Sequence, residues 1–317
     1  MACDPPEHTR LRRMLAPEFA VKRLQRFQVP TQAIVAECLD AMEQAGPPVD
    51  LVQEFAQPIS LRVLSELLAM PRADGVRFRR FRNEILNSTR SGKNRLVAIN
   101  ESWANITALV EHQRREPDDS LLGTLVREHG DELTDAELMD IGTQVLLAGY
   151  DNLAGMISLG TLLLLEHPDQ LRLLRDSQQM TEAAVEEMIR YLSVVAAPQA
   201  RTAAADVTVA GEEIKAGDSI LCSLAAANRD DALGADMDRL DLARRPVAHV
   251  AFGYGIHYCL GANLARMAMR IAYPALFHRF PGLRLAVSFG DLRFRPVPAY
   301  SSETLPVAWQ RERANPA

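Results

Sequence analysis

The residues best suited to chemistry lie in a glycine-rich segment in the last quarter of the chain. This segment, Phe252-Gly-Tyr-Gly-Ile-His-Tyr-Cys-Leu-Gly261, places one cysteine, Cys259, at the start of an amphipathic helical pattern. Backbone N–H groups and the positive end of a helix dipole favour the thiolate form of a cysteine. Because the thiolate is the form that binds iron, the segment predicts a metal ligand. Taken alone, an isolated cysteine is more often a small buried apolar residue.

Two other pairs have helical spacing. Glu187 and Arg190 are three residues apart, so a carboxylate and a guanidinium share one face of a helix. His8 and Arg12 are four apart and share a face in the same way. Charged pairs of this kind are common on surfaces, where they contribute little to stability. The spacing alone therefore leaves open both a structural role and an ordinary solvated surface.

Composition limits the class of protein. The chain has 317 residues, 48% of them hydrophobic, and a net charge of -6. This length can bury a substantial core. The acidic balance argues against nucleic-acid binding, which requires a concentrated positive charge. The four cysteines, Cys3, Cys38, Cys222 and Cys259, are far apart in the chain, which argues against a zinc site or a disulfide framework.

We expect a cytoplasmic location. The first residues show no basic stretch followed by an apolar one, which disfavours a secretory signal, and free thiols suit a reducing compartment. Residues 141–165 are apolar over a length that could span a bilayer, but Asp151 lies near their centre. A charged residue there costs about 2.5–3.5 kcal/mol on insertion scales. A buried central helix, closely packed at its glycines, is the better prediction.

The elements that must position these residues are mainly helical. Helical spacing is predicted for residues 9–42, 51–70 with an interruption near Pro58, 94–114, 120–127, 135–166, 181–191 and 262–280, with another helix opening at Pro168. Thr134 is a predicted N-cap. Residues 71–75 are predicted to form a turn, whereas residues 207–209, 214–221 and parts of 283–309 resemble short strands. The pattern indicates one domain over residues 1–317, mainly α with a small β part.

The cysteine segment resembles the ligand loop of the cytochrome P-450 superfamily. It matches the pattern Phe-Gly-x-Gly-x-His-x-Cys-x-Gly at every fixed position, which is a highly specific match. The resemblance implies the cytochrome P-450 fold, an oxidoreductase activity, heme b (iron protoporphyrin IX) as cofactor and Cys259 as the axial ligand of its iron. Four other residues of the segment are then expected at the cofactor: Phe252, Gly253, His257 and Gly261.

The same resemblance assigns roles outside the loop. Glu187 and Arg190 match the family's Glu-x-x-Arg, and Arg239 matches the third partner of this structural group. The first helix resembles the family's C helix. The residues expected at the haem propionates are His8, Arg12, Arg201 and His249.

In the central helix the sequence departs from the common family pattern. Ala148-Gly-Tyr-Asp-Asn-Leu153 resembles Ala-Gly-x-Asp/Glu-Thr-Thr, so Ala148 is expected beside the cofactor and Asp151 and Asn152 are the catalytic candidates. Asn152 stands where the family usually has the threonine of the proton-delivery path. An amide is not a hydroxyl donor that relays a proton. The departure puts ordinary threonine-assisted hydroxylation in doubt.

Several segments together resemble the Oxy enzymes, which cross-link aromatic side chains in glycopeptide antibiotics. They are residues 146–152, 191–198, 214–218 and 71–74. In that group the substrate is a peptide tethered to a peptidyl carrier protein, and a Pro-Arg-Asp-Asp-Asp segment helps to dock the recruiting domain of the synthetase. Pro71-Arg-Ala-Asp-Gly75 matches that segment in part, and an ordinary loop is the competing interpretation. The implied reaction is one-electron oxidation of two phenols followed by C–O or C–C coupling.

Three functions remain open at this point. The first is a phenol-coupling oxidase, the second a conventional hydroxylating monooxygenase on another natural product, and the third an inactive fragment that binds haem or a partner. The third arises because the resemblance begins at the family's C helix, so the usual N-terminal portion is expected to be absent.

The expected electron donors are a ferredoxin and its ferredoxin reductase, because the sequence has no flavin or nicotinamide motif. Arg266 and Arg270, on the helix after Cys259, offer a cationic docking face or are solvated surface charges. No membrane partner is expected.

Overall fold

Helices make up most of the structure, a computed structural model that describes residues 3–86, 92–195, 199–295 and 300–310. Within these residues the helices are α1 (Glu7–Leu15), α2 (Val21–Leu24), α3 (Gln28–Ala45), α4 (Gln57–Leu68), α5 (Arg72–Leu86), α6 (Gly92–Arg115), α7 (Leu121–His129), α8 (Asp135–Glu166), α9 (Pro168–Asp176), α10 (Thr181–Leu192), α11 (Leu224–Ala227) and α12 (Ala262–Arg279). The prediction of a mainly α fold with a small β part is confirmed.

The amino-terminal helical pattern is divided more finely than the spacing predicted. A 3-10 turn at Ala16–Phe19 separates α1 from α2, and a second at Gln25–Phe27 precedes α3. Pro17 lies in the first of these turns, at a position where its missing N–H costs no helical bond. Pro58 likewise occupies the first turn of α4, directly after a wide helical turn at Val52–Ala56. The predicted interruption near Pro58 is therefore confirmed.

The predicted turn at residues 71–75 is wrong, because α5 begins at Arg72. The carbonyl of Pro71 accepts the N–H groups of Asp74 and Gly75 at 3.0 and 3.2 Å, which starts the helix. Asp74 also places a negative charge in the first turn, where the helix dipole favours it. Proline and glycine here mark a helix start instead of a loop.

The central helix α8 has the predicted N-cap. The Thr134 side chain accepts from the N–H of Glu137 at 3.2 Å, and the Glu137 carboxylate accepts from the N–H of Thr134 at 2.8 Å. This reciprocal arrangement is a capping box, which satisfies two N–H groups at the helix end. Within the described residues α8 has the length and apolar character of a membrane span, but 67% of its most apolar stretch is buried. The burial is that of a core helix, as predicted.

Helix α8 packs closely against α4 and α12 in the core. A Cβ atom on Gly149 would lie 2.8 Å from a methyl group of Leu64 in α4. A Cβ atom on Gly160 would overlap the hydroxyl of Tyr273 in α12. That hydroxyl donates to the carbonyl of Met156 at 2.5 Å. The glycines of α8 therefore permit two neighbouring helices to approach its backbone, as the sequence predicted.

The strands are short and antiparallel. They are β1 (Val49–Asp50), β2 (Gln199–Thr202), β3 (Val207–Val209), β4 (Glu212–Ile214), β5 (Ser219–Cys222), β6 (Arg284–Leu285), β7 (Phe294–Arg295), β8 (Ser301–Ser302) and β9 (Pro306–Ala308). They form one three-stranded sheet in the order β1-β9-β6 and the pairs β2-β5, β3-β4 and β7-β8. In the three-stranded sheet, Val307 of β9 is paired with Val49 of β1 and with Leu285 of β6. In the pair β2-β5, Arg201 is paired with Ile220.

The predicted strand over 214–221 is divided between β4 and β5. The division falls at Gly217, whose φ of 92° is readily adopted by glycine alone. Among the segments that resemble the Oxy enzymes, residues 196–198 lie outside the described residues. So do residues 296–299 of the predicted carboxyl-terminal strands.

Candidate functional site

The cysteine loop folds back on itself so that Cys259 stands just before a helix. Its N–H donates to the carbonyl of Phe252 at 2.8 Å, and α12 begins at Ala262. Gly253 and Gly255 have φ values of 76° and 79°, which side chains rarely adopt. The two glycines therefore permit the turn that places Cys259 at the helix start, as predicted.

Cys259 is an exposed residue, and backbone N–H groups and arginines lie near its thiol. Desolvation by the surrounding loop raises the pKa of the Cys259 thiol above its usual value. The backbone N–H of Gly261 and the positive charges of Arg12 and Arg266 act in the opposite direction. Since a coordinated metal ion deprotonates a thiol outright, the arrangement suits an iron ligand.

Open space adjoins this cysteine. A Cβ atom on Gly253, Gly255 or Gly261 would meet no other atom within 4 Å. Leu147, in the middle of α8, is 42% exposed, and Ala148 beside it is also exposed. Apolar residues uncovered within a core helix and glycines uncovered in the cysteine loop fit a flat, largely apolar cofactor.

The structure brings His8 and Arg12 to the same place as the cysteine loop. The ring of His8 lies 4.1 Å from the ring of His257, centre to centre. His8 is buried, and its Nδ1 atom has no hydrogen-bond partner among the described residues. Burial lowers the pKa of His8, and the charges near it, His257 first and then Arg12, lower it further. An unpaired buried nitrogen beside the guanidinium of Arg12 fits a carboxylate such as a haem propionate.

The two remaining propionate candidates, Arg201 and His249, differ in their surroundings. Arg201 is exposed on β2 and donates to the carbonyl of Ala200 at 2.8 Å, so its assignment stays a prediction. His249 has both ring nitrogens engaged inside the protein. Its Nε2 lies 3.3 Å from Glu186, and its Nδ1 accepts the N–H of Ala251 at 3.3 Å. The assignment of His249 to a propionate stays a prediction, like that of Arg201.

The Glu-x-x-Arg pair is buried and fully engaged, as its matching pattern implied. Arg190 donates to both oxygens of Glu187 at 2.7 Å. It also donates to the carbonyls of Asn228 and Met237 at 2.7 Å, which ties α10 to the following irregular segment. The side chains of Arg190 and Glu187 are only 1% and 5% exposed. This is the expected structural role.

The third member of that group is Arg244 and not Arg239. Arg244 Nε lies 3.3 Å from Glu187 Oε1, whereas Arg239 is exposed and contributes only its main-chain carbonyl, which accepts from Arg190 at 3.2 Å. The prediction for Arg239 is therefore corrected. A turn in this segment could have indicated Arg244. The carbonyl of Asp241 accepts the N–H of Arg244 at 3.0 Å, and this turn directs the Arg244 side chain inward.

In α8 the two catalytic candidates have different partners. The Asn152 amide donates to the carbonyl of Ala148 at 2.7 Å. Asp151 accepts from Arg82 of α5, whose Nε lies 3.0 Å from Asp151 Oδ2. Arg82 was not singled out by the sequence, although it follows the buried Phe78 by four residues and so shares its buried face.

Tyr150, beside Asp151, is also part of this cluster. Its ring is fully buried, packs edge-on against Phe78 at 5.7 Å and lies 5.5 Å from the guanidinium of Arg82. Its hydroxyl has no hydrogen-bond partner among the described residues. Burial raises the pKa of Tyr150 to about 12, so the phenol stays protonated at neutral pH.

The two arginines proposed as a cationic docking face are already paired. Arg266 binds both oxygens of Glu186, and Arg270 donates to Glu182 at 2.8 Å. Their charges are therefore largely compensated within the protein, which does not favour a simple positive docking face.

The comparisons with known proteins agree with this site. The family model for cytochrome P450 matches residues 76–283. Cytochrome P450 165B3 from Amycolatopsis orientalis is 46% identical over 310 residues, covering 98% of this chain and 78% of that protein.

Two solved structures share the fold closely. OxyC, a cytochrome P450 implicated in an oxidative C–C coupling reaction during vancomycin biosynthesis, aligns with a TM-score of 0.91 and 46% identity over 97% of this chain and 78% of that one. OxyB from teicoplanin biosynthesis, in complex with the X-domain, aligns with a TM-score of 0.92 and 48% identity over 97% of this chain and 83% of that one.

The fold, the cysteine loop and the relatives all support the same family assignment. The exposed Cys259, the open space at Gly253 and Gly261 and the unpaired Nδ1 of His8 fit haem b, the cofactor of the matching family. This chain therefore belongs to the cytochrome P450 family of haem-dependent monooxygenases, oxidoreductases among which it is closely related to the Oxy enzymes of glycopeptide antibiotic biosynthesis.

Proposed function

We propose that this P450 is an oxidase that couples phenol or other aryl side chains of a peptide held on a carrier protein. The observation that carries the proposal is Asn152, whose amide bonds to Ala148 in the middle of α8 at 2.7 Å. The position that the resemblance assigns to a proton-relaying threonine holds no hydroxyl. A reaction that removes hydrogen from phenols and inserts no oxygen is compatible with that change.

The relatives support the same reaction. OxyC is implicated in an oxidative C–C coupling and is 46% identical to this chain over nearly its whole length. The proposed reaction balances in atoms and electrons. Forming one aryl–aryl or aryl–oxygen bond removes two hydrogen atoms from the peptide. With two electrons from the redox partner and two protons, dioxygen leaves as two molecules of water.

Haem b would be held by residues from four parts of the chain. Cys259 would ligate the iron, and Phe252, Gly253 and Gly261 would hold the cofactor through the cysteine loop. Ala148 would contact it from α8. When bound, haem b supplies the oxidising chemistry, and thiolate ligation favours cleavage of the O–O bond. The residues assigned to the propionates are His8, Arg12, Arg201 and His249, and His257 lies beside His8 in the cysteine loop.

Asp151 and Asn152 are the proposed catalytic residues. The Asp151 side chain is 26% exposed and paired with Arg82, so the carboxylate is fixed in position while part of it stays accessible. In that position it can hold a proton on the substrate side of α8. Asn152 offers its amide oxygen to a substrate hydroxyl, because its N–H is already bound to Ala148.

A recruiting domain of the synthetase is the proposed protein partner, bound at the first turns of α5. The Arg72 side chain is 83% exposed there, and Asp74 pairs with Arg77 at 3.0 Å. Val76 adds a 60% exposed apolar side chain between these charges. The structure of OxyB with the X-domain supports a partner of this kind. A P450 of this type typically needs redox partners, and we propose a ferredoxin and its reductase.

We also propose that residues 1–317 act as one haem-binding domain in the cytoplasm.

The test begins with the haem-reconstituted protein and its reduced carbon-monoxide difference spectrum. A band typical of thiolate ligation that is lost in Cys259→Ser supports the ligand assignment. Phenol-containing peptides loaded on a peptidyl carrier protein are then incubated with ferredoxin, reductase and reduced nicotinamide cofactor. Mass spectrometry of the released peptide decides the reaction.

Loss of two hydrogen atoms supports coupling. Addition of one oxygen atom instead would identify a hydroxylating monooxygenase. A protein that shows the thiolate band but leaves every carrier-bound peptide unchanged, while oxidising the free peptide, would contradict the carrier-dependent substrate.

A further inference from the structure

A second charged network begins at Glu186, directly before the structural Glu187 on α10. Arg266 of α12 donates to both of its oxygens, Nε to Oε1 at 2.6 Å and Nη2 to Oε2 at 2.9 Å. A two-bond pair of this kind fixes the plane of the guanidinium as well as its position. Glu186 therefore determines how Arg266 is oriented.

The network is shielded from solvent. The side chains of Glu186, Arg266 and His249 are 25%, 18% and 8% exposed. His249 Nε2 lies 3.3 Å from Glu186 Oε2. Burial alone would raise the pKa of the Glu186 carboxyl, but hydrogen bonds from His249 and Arg266 hold that pKa at about 2. Glu186 is thus a carboxylate at any physiological pH, and it compensates the charge of Arg266.

Arg266 connects this carboxylate to the aromatic residues of the cysteine loop. Its guanidinium carbon lies 4.6 Å from the ring centre of Phe252, a cation–π contact. Its Nη1 lies 3.3 Å from the hydroxyl of Tyr258. The rings of Phe252 and Tyr258 are 6.3 Å apart in an edge-to-face arrangement. One guanidinium therefore contacts two aromatic side chains of the loop.

Both of these aromatic residues are linked to Cys259 through the main chain. The carbonyl of Phe252 accepts the N–H of Cys259 at 2.8 Å, and Tyr258 is the preceding residue in the chain. A shift of either ring would be transmitted to the main chain that holds the sulfur. The contacts thus form a continuous path from Glu186 through Arg266 to the backbone of the cysteine.

We propose that Glu186 is a positioning residue for the thiolate ligand of the haem iron. It acts through Arg266 in two ways, by holding the loop that presents the sulfur and by compensating a positive charge close to it. Residues in this outer position commonly orient a metal ligand and tune its metal. The inference rests on Cys259 being the iron ligand, as proposed above.

Removing the Glu186 carboxylate should change the reduction potential of the haem iron in one direction. Without it, Arg266 would be an uncompensated, partly buried positive charge near the sulfur. Positive charge stabilises the reduced iron, so the reduction potential would rise. The guanidinium would also lose its fixed orientation, and the thiolate would be displaced more readily.

The experiment compares Glu186→Gln with Glu182→Gln in the haem-reconstituted full chain. Glu182 is a matched control one turn earlier on α10, where its 74% exposed side chain pairs with Arg270. For Glu186→Gln we expect a more positive reduction potential and roughly tenfold faster loss of the thiolate-type ferrous carbonyl band. Glu182→Gln should resemble the wild type in both measurements.

Arg266→Lys separates geometry from charge. Lysine keeps the positive charge beside Glu186 but makes neither the two-bond pair nor the planar stack on Phe252. We expect the carbonyl band to become labile with a smaller change in potential. A Glu186→Gln protein that only unfolds at lower temperature, with wild-type potential and carbonyl band, would overturn the proposal and leave a purely structural role.

If Glu186→Gln does not fold, the double variant Glu186→Gln, Arg266→Met decides, since it has no unpaired charge. A labile carbonyl band in the double variant supports the proposal, and a wild-type band overturns it. Cys259→Ser is measured in parallel. Loss of the thiolate band in that variant upholds the ligand assignment whatever the result at Glu186.

Discussion

The side-chain amide of Asn152 donates to the main-chain carbonyl of Ala148, one turn earlier in α8, at 2.7 Å. Threonine makes a bond to the same carbonyl through its hydroxyl when it lies within a helix. Asparagine thus keeps the local backbone contact and removes the hydroxyl. The helix retains a polar side chain at this position, but one with different proton chemistry.

Asn152→Thr is expected to shift the products toward oxygen insertion. The substitution supplies a hydroxyl donor and acceptor where the amide now lies, and it can keep the bond to Ala148. Mass spectrometry of the product mixture gives the ratio of oxygen-added to hydrogen-depleted peptide. Asn152→Ala is the control, because it removes the amide without supplying a hydroxyl. Equal product ratios in the three proteins would show that the hydroxyl has no influence.

Arg244→Met is expected to destabilise the fold far more than Arg239→Met. Arg244 bonds to the buried Glu187 and to the carbonyls of Ala235, Asp236 and Arg239. Removing it leaves part of a buried carboxylate and several carbonyls without a donor, a loss of about 2–4 kcal/mol. The exposed Arg239 side chain should change stability by at most about 0.5 kcal/mol. Urea unfolding of both variants measures the difference, and equal losses would contradict the assignment.

Glu186 should give the fold a specific dependence on acid pH. The pKa of its carboxyl falls from an ordinary 4.5 to about 2 on folding. The stabilisation from a lowered pKa is fully present above about pH 4.5 and is lost as the pH falls toward about 2. At about pH 6 the wild type should exceed Glu186→Gln in free energy of unfolding by on the order of 1–3 kcal/mol, and by less at about pH 3. A difference that is the same at both pH values would rule out this linkage.

Gly160→Ala is expected to destabilise the protein by about 1–3 kcal/mol, despite the better helix propensity of alanine. The added methyl group would displace the hydroxyl of Tyr273, which would lose its bond to Met156. Gly142→Ala on the same helix is the control, since its methyl group would meet Ile106 and Leu122 at an ordinary 3.6 Å. Thermal unfolding of the two variants should show a lower midpoint for Gly160→Ala and an unchanged or higher one for Gly142→Ala.

The parts predicted well from the sequence are those set by local chemistry. The capping box at Thr134 needs only residues three apart, and the turn into Cys259 needs glycines where φ is positive. Helical spacing gave most helix limits within a few residues, because one face of each helix is apolar. The same local rules failed at Pro71, where a proline and a glycine occur at a helix start.

The errors at the site have a different cause. Arg239 and Arg244 lie in one irregular segment, and no periodicity distinguishes which of them reaches Glu187. Nor did the sequence indicate that the ring of His249 contacts Glu186. Arg82 was one of several arginines in a basic run until the packing of α5 on α8 placed it beside Asp151.

By itself the sequence determined the family and its cofactor. A cysteine loop of fixed spacing specifies its own backbone turn and needs no distant residue to be identified. Only the tertiary structure decided which charges are paired: Glu187 with Arg244, Glu186 with Arg266 and His249, and Asp151 with Arg82. Such pairs join residues far apart in the chain, and a side chain's partner depends on how helices pack, which local spacing does not encode.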